Sequence, residues 1–221
     1  MTAPEPTGRL SDLAYTRILE TLFARRLPAG AFVSQNDLVQ LVGVPVAPLR
    51  DALRVLEAEG ILTILPRSGI QFVKPGIELT KSTYQFRTII ERAAVRAFAE
   101  RADEAETARI RRRHLEMAIE LDTSGIGPDT LGGLEELETL LHGSVVASLQ
   151  NPLIETTYRR MHNYLRLVRL DQRLTVPIAQ HSIREHLEIV TALEERDSEA
   201  AEAAVVSHFA AALQRHLGMF I

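Results

Sequence analysis

The sequence predicts a mainly α protein in two parts: an N-terminal part of short helices closed by a β-hairpin, and a C-terminal antiparallel six-helix bundle. Three observations carry this. Apolar residues recur at helical spacing along most of the chain, whereas short apolar runs flanking a tight turn occur only at 61–73. Charge divides at Gly76, with net +1 before it and −5 after it, and all seven His follow the break. The expected domains are 8–75 and 79–221.

The chain has 221 residues, 46% of them hydrophobic, and no Cys. That is ample for a buried core, and it excludes disulfide frameworks and thiolate metal sites. No apolar run approaches the ~18–20 residues of a membrane span, and Met1–Thr7 lacks the basic start and apolar middle of a leader. The expectation is a soluble, cytoplasmic protein with no membrane partner. A net charge of −4 over the whole chain argues against a nucleic-acid binder, so the parts must be read separately.

In the N-terminal part, Leu10, Leu13, Ile18, Leu22 and Phe23 give a first helix over Arg9–Arg26, broken by Leu27-Pro28-Ala29-Gly30. Ser34 followed by Asp37 has capping-box spacing and starts a second helix through Val42, which Gly43 ends. A third helix runs from Pro45, where a missing amide costs little, to Glu59 before Gly60. Leu49, Leu53 and Leu56 form its apolar face, and Val46, Ala47, Arg50 and Arg54 lie opposite. Ile61–Leu65, Pro66-Arg67-Ser68-Gly69 and Ile70–Val73 read as strand, turn, strand. This order is that of a winged helix-turn-helix, whose third helix fits a major groove while the wing tip reaches phosphate or minor groove. The pattern alone leaves a plain helical packing module equally open.

Residues Arg26-Leu27-Pro28-Ala29-Gly30, Leu38–Val44, Pro48-Leu49-Arg50-Asp51-Ala52-Leu53-Arg54, Leu56-Glu57-Ala58-Glu59-Gly60-Ile61-Leu62 and Ser68-Gly69-Ile70-Gln71-Phe72-Val73 resemble the GntR family of bacterial transcription regulators. The resemblance implies double-stranded operator DNA as partner, with Gln35, Asn36, Val46, Arg50, Arg54 and Arg67 facing it. Asn36 stands where the family usually has Arg, and Pro45-Val46-Ala47 where it has Ser-Arg-Thr. Two DNA-contacting Arg are thus missing, and the expected operator differs from the common one. Arg54 has a competing role as an ion pair with Asp51 or Glu57.

Beyond Lys74-Pro75-Gly76, six helices are expected: Thr80–Ala102, Asp103–Leu121, Leu131–Leu149, Pro152–Asp171, Val176–Arg196 and Ser198–Phe220. Glu138 and His142 are four apart and share a helix face. His186 and His208 each lie 11 residues from Asp197, at equal height on two antiparallel helices. One carboxylate and three imidazoles suit Zn²⁺, Ni²⁺ or another divalent transition metal. Histidines satisfied by ordinary hydrogen bonds fit the spacing as well, and His114, His162, His181 and His216 have no assigned place.

Phe86-Arg87 with Glu91, Glu138–His142, Gln150-Asn151-Pro152-Leu153, Glu185-His186 and Arg196–Ala204 before His208 resemble the FCD effector-binding domain of the FadR subfamily, and six helices look like its VanR-type branch. That resemblance implies Glu138, His142, His186 and His208 as metal ligands, with Glu138 where Asp is more frequent. It also implies a small organic acid as effector, bound at Arg87, Asn151 and Asn163. Arg87 has a second reading as an i,i+4 pair with Glu91.

The expected function is a ligand-responsive homodimeric repressor, with the segment Val73–Glu78 carrying the coupling between its parts. Two alternatives are a metal-dependent hydrolase, for which Glu185 is the only tempting base, and a binding module with a structural metal. Nucleophile triads, phosphate-cradling loops and cofactor fingerprints are absent from the sequence.

Overall fold

The computed structural model describes residues 7–170 and 174–218, with side chains from Leu10 onward. The predicted ends of the fourth and sixth bundle helices, Asp171 and Phe220, lie outside the described residues. The chain forms two compact units, one of 1–76 with 162–171 and the other of 77–161 with 172–221.

The first unit contains α1 (Thr7–Phe23), β1 (Phe32–Val33), α2 (Gln35–Val42), α3 (Val46–Ala58), β2 (Leu62–Leu65) and β3 (Gly69–Phe72). Ser34 accepts from the Asp37 amide while Asp37 accepts from Ser34, closing the box that starts α2. Gly43 ends α2 in the left-handed region, at φ 68°, and Arg17 of α1 donates to the Val42 and Gly43 carbonyls there. The core joins Ile18 and Leu22 of α1, Leu38 of α2, Leu49, Leu53 and Leu56 of α3, and Ile61, Ile70 and Phe72 of the wing. The apolar face predicted for α3 is therefore the buried one.

The wing differs from expectation. It is a three-stranded antiparallel sheet in the order β1-β3-β2, because Phe32 and Val33 pair with Gln71 and Ile70. A two-residue strand is too short to show alternation in sequence. Its close approach explains Gly69, where a Cβ would lie 2.7 Å from the Val33 carbonyl oxygen and 2.8 Å from the Phe32 ring.

The second unit contains α4 (Ile77–Arg101), α5 (Glu104–Ser124), α6 (Pro128–Glu138), a π-turn (Thr139–Gly143), α7 (Ser144–Ala147), the first half of α8 (Pro152–Leu170), α9 (Val176–Glu194) and α10 (Ser198–His216). Helix α10 packs on α4 and α9, and α5 on α9 and α6. Asp103 and Asp197 cap α5 and α10 through their carboxylates. The third predicted helix, 131–149, is corrected in two respects. It starts at Pro128, a residue suited to the first helical turn, and it is interrupted by the π-turn. Among the described residues, no helix is long and apolar enough to cross a membrane.

Candidate functional site

Glu138 ends α6, His142 lies in the π-turn, His186 is on α9 and His208 is on α10. All four are buried, and one ligand atom from each lies within 4.8 Å of the others. His186 Nε2 is 3.4 Å from His142 Nε2 and 3.3 Å from His208 Nε2, and 3.4 Å from Glu138 Oε1.

The outer nitrogens decide what these contacts are. His142 Nδ1 lies 2.6 Å from Glu91 Oε2 and His208 Nδ1 lies 2.7 Å from Glu185 Oε2, so each imidazole donates outward to a carboxylate. His114 Nδ1 donates to the Ile110 carbonyl at 2.7 Å, which leaves its Nε2 as the acceptor for His186 Nδ1 at 3.0 Å. Burial pushes His114, His142 and His208 down to about 4; for His142 and His208 it outweighs the carboxylates beside them. At neutral pH these rings are uncharged, so His142 and His208 turn bare Nε2 lone pairs toward Glu138 and the Nε2 of His186. That arrangement is repulsive by itself and fits a shared cation, whose ligands ~2.0–2.1 Å away sit about 3.3 Å from one another in a tetrahedral set.

Arg87 of α4 is fully buried beside the cluster. Its Nε donates to Glu91 Oε1 at 2.8 Å, its Nη1 is 3.7 Å from Glu138 Oε2, and its Cζ lies 4.3 Å over the Phe209 ring. Nη1 and Nη2 have no hydrogen-bond partner among the described residues. The two sequence readings of Arg87 are therefore compatible: Nε makes the intrahelical pair, and the outer nitrogens remain as donors suited to a planar anion. Burial works against charge on Arg87, yet Glu91, Tyr158 and Glu138 hold its pKa above the ordinary value.

Asn151 and Asn163, the other two expected effector contacts, have partners of their own. Asn151 Oδ1 accepts from the Leu153 and Ile154 amides, the work of a helix cap. Asn163 belongs to the first compact unit and donates to the Tyr15 hydroxyl at 3.2 Å. Sequence reasoning missed His114, whose contact spans 72 residues and leaves no local pattern. Glu185 is no base at the cluster. Arg215 and His181 reach it as well as His208, and although burial opposes the change, Arg215 and His208 lower its pKa to about 2.

In the first unit, a groove of about 450 Å³ between α3 and the wing brings together Gln35, Asn36, Arg50, Arg54 and Arg67. Gln35 Oε1 accepts from Arg50 Nε at 3.0 Å, aiming that guanidinium, and exposed Arg54 pairs with Asp51 at 3.4 Å. Arg67 sits at the wing turn with φ 64°, and Val46 is exposed on the first turn of α3. Five of the six positions that the resemblance turns toward DNA thus line one groove, and Val46 is not among its lining residues.

Residues 10–72 match the bacterial regulatory proteins of the gntR family, and residues 82–211 match the FCD domain. The chain is 24% identical over 197 residues to the uncharacterized HTH-type transcriptional regulator YdhC of Bacillus subtilis (strain 168), covering 88% of this chain and 85% of that protein. It is 26% identical over 192 residues to the Nta operon transcriptional regulator of Aminobacter aminovorans, covering 87% and 85%. Its fold matches that of E. coli McbR/YncC with a TM-score of 0.80 at 14% identity, over 100% of both chains. The families and relatives are transcription regulators rather than enzymes, which removes the hydrolase alternative. With residues 10–72 matched to the one family and residues 82–211, more than half of the chain, to the other, the protein belongs to the GntR family of bacterial transcription regulators and carries an FCD domain.

Proposed function

We propose that the protein is a homodimeric repressor that holds a divalent transition metal, Zn²⁺ or Ni²⁺, in its bundle and senses a small carboxylate there. The observation that carries this reading is the juxtaposition of three outward-anchored imidazoles and Glu138 with buried Arg87, whose two Nη donors make no hydrogen bond. Glu138, His142, His186 and His208 would hold the ion, which when bound supplies a Lewis-acidic position for an anion. Arg87 would orient the same carboxylate by a two-point contact. Two winged units would then read a two-fold-symmetric operator through Arg50, Arg54 and Arg67, with the segment Val73–Glu78 among the candidates for coupling.

The burial of all four ligands also favours a second reading, a purely structural ion. The test is bound-metal analysis of the purified chain and of His186→Ala, followed by a thermal-shift screen of small organic acids and gel shifts on its upstream DNA. The sensor reading expects one metal per chain that is lost in the variant, an acid that raises the melting temperature, and a change in DNA affinity with that acid. A fold that melts on chelation and responds to no acid supports the structural ion. Equal DNA affinity with and without every acid that binds would overturn the sensing role.

A further inference from the structure

Glu91 is fully buried, and three donors from three elements meet on it: Arg87 Nε of α4 at 2.8 Å, His142 Nδ1 of the π-turn at 2.6 Å, and the Tyr158 hydroxyl of α8. One carboxylate therefore serves as counter-ion to the anion-facing guanidinium and as the outer hydrogen-bond partner of a metal-facing imidazole. We propose that Glu91 is a shared positioning residue with opposite effects on the two ligands: it strengthens the hold on the metal through His142 and weakens the hold on the effector anion by competing for the charge of Arg87. This rests on the metal-and-carboxylate reading above.

The physical argument has two arms. A carboxylate on Nδ1 fixes the tautomer that leaves Nε2 bare and makes the ring a better donor, and losing such a partner costs about 10–100-fold in metal affinity. On the other side, a buried guanidinium already facing a carboxylate gains less from a second anion than one left uncompensated. When an anion engages Nη1 and Nη2, Glu91 is drawn less strongly to Arg87 and its charge becomes more available to the His142 N–H. Metal and anion would thus reinforce each other through Glu91, in addition to any direct contact between them.

The test uses the full chain, with Zn²⁺ titrated against a competing chromophoric chelator and acetate titrated on the zinc-loaded protein. Glu91→Gln keeps the shape and removes the charge. Zinc affinity should fall about 10–100-fold, while acetate affinity should rise by about tenfold or more. Arg87→Gln should lose acetate and retain zinc. If Glu91→Gln does not fold because Arg87 is left uncompensated, the Arg87→Gln/Glu91→Gln pair removes both charges and should still show the zinc loss. Affinities that move together in Glu91→Gln, or zinc binding unchanged in the folded single or double variant, would overturn the inference while leaving the sensor reading intact. A wild-type chain that binds neither zinc nor acetate would overturn the reading itself.

Discussion

On the metal reading, His114 would act on the site through His186 alone. It is fully buried, receives the N–H of His186, and passes its own to the Ile110 carbonyl. His114→Leu removes that acceptor, and metal affinity should fall about 10–100-fold while the helical content stays, as read by chelator competition and circular dichroism. An unchanged affinity would mean that His186 is oriented by packing alone. The same burial gives the metal-stripped protein a pH signature. His114, His142 and His208 sit at about 4 in the folded chain, against an ordinary value of 6.5 once unfolded. The unfolded chain binds the protons first, so stability is complete above about 6.5 and is lost as the pH falls through about 4. Denaturant midpoints at pH 7 and pH 4.5 should differ in that direction, and a flat profile would count against three neutral buried rings.

At the level of elements, the boundaries were legible wherever the signal is local. Ser34 with Asp37, Gly43, Asp103 and Asp197 end or start helices through their own backbone neighbours. The equal heights of His186 and His208 were legible too, because a hairpin of regular helices has simple arithmetic, and the pair meets at 3.3 Å. Asn151-Pro152 likewise has the composition of a loop and cap, and Asn151 Oδ1 caps α8. The π-turn and the strand β1 were not legible, because β1 is defined by its pairing with a strand 39 residues away and the π-turn leaves no periodicity of its own. The wing gives a direct check on that pairing. Gly69→Ala would put a methyl against the Val33 carbonyl and the Phe32 ring at φ 152°, so it should destabilise the sheet by more than about 1 kcal/mol in thermal unfolding. Arg67→Ala should instead leave stability nearly unchanged or slightly reduced and lower the salt slope of DNA binding by about 1.

For the whole molecule, the charge count acquires a specific meaning. A reader of net +1 offers Arg50, Arg54 and Arg67 in one region, so its salt dependence should be shallow, about −3 per protomer in log–log slope. Filter-binding titrations between low and physiological salt would measure it, and a much steeper slope would place further phosphate contacts outside that groove. The chain is also not divisible at Gly76 without cost. Leu167 of α8 is fully buried in the core of the first unit, so 1–76 made alone should melt below that unit in the full chain, by the order of ~1.5–3 kcal/mol that such a side chain contributes. The buried polar interior of the bundle has a further consequence. Glu91, Glu138 and Glu185 face Arg87 and Arg215, leaving one formal negative charge in excess. On the metal-and-carboxylate reading, a dication would turn that into one positive charge in excess and a single monoanion would bring the interior to electroneutrality. A dianion would overshoot unless its second carboxylate stayed in water, so the interior would favour ligands that present one charge inward.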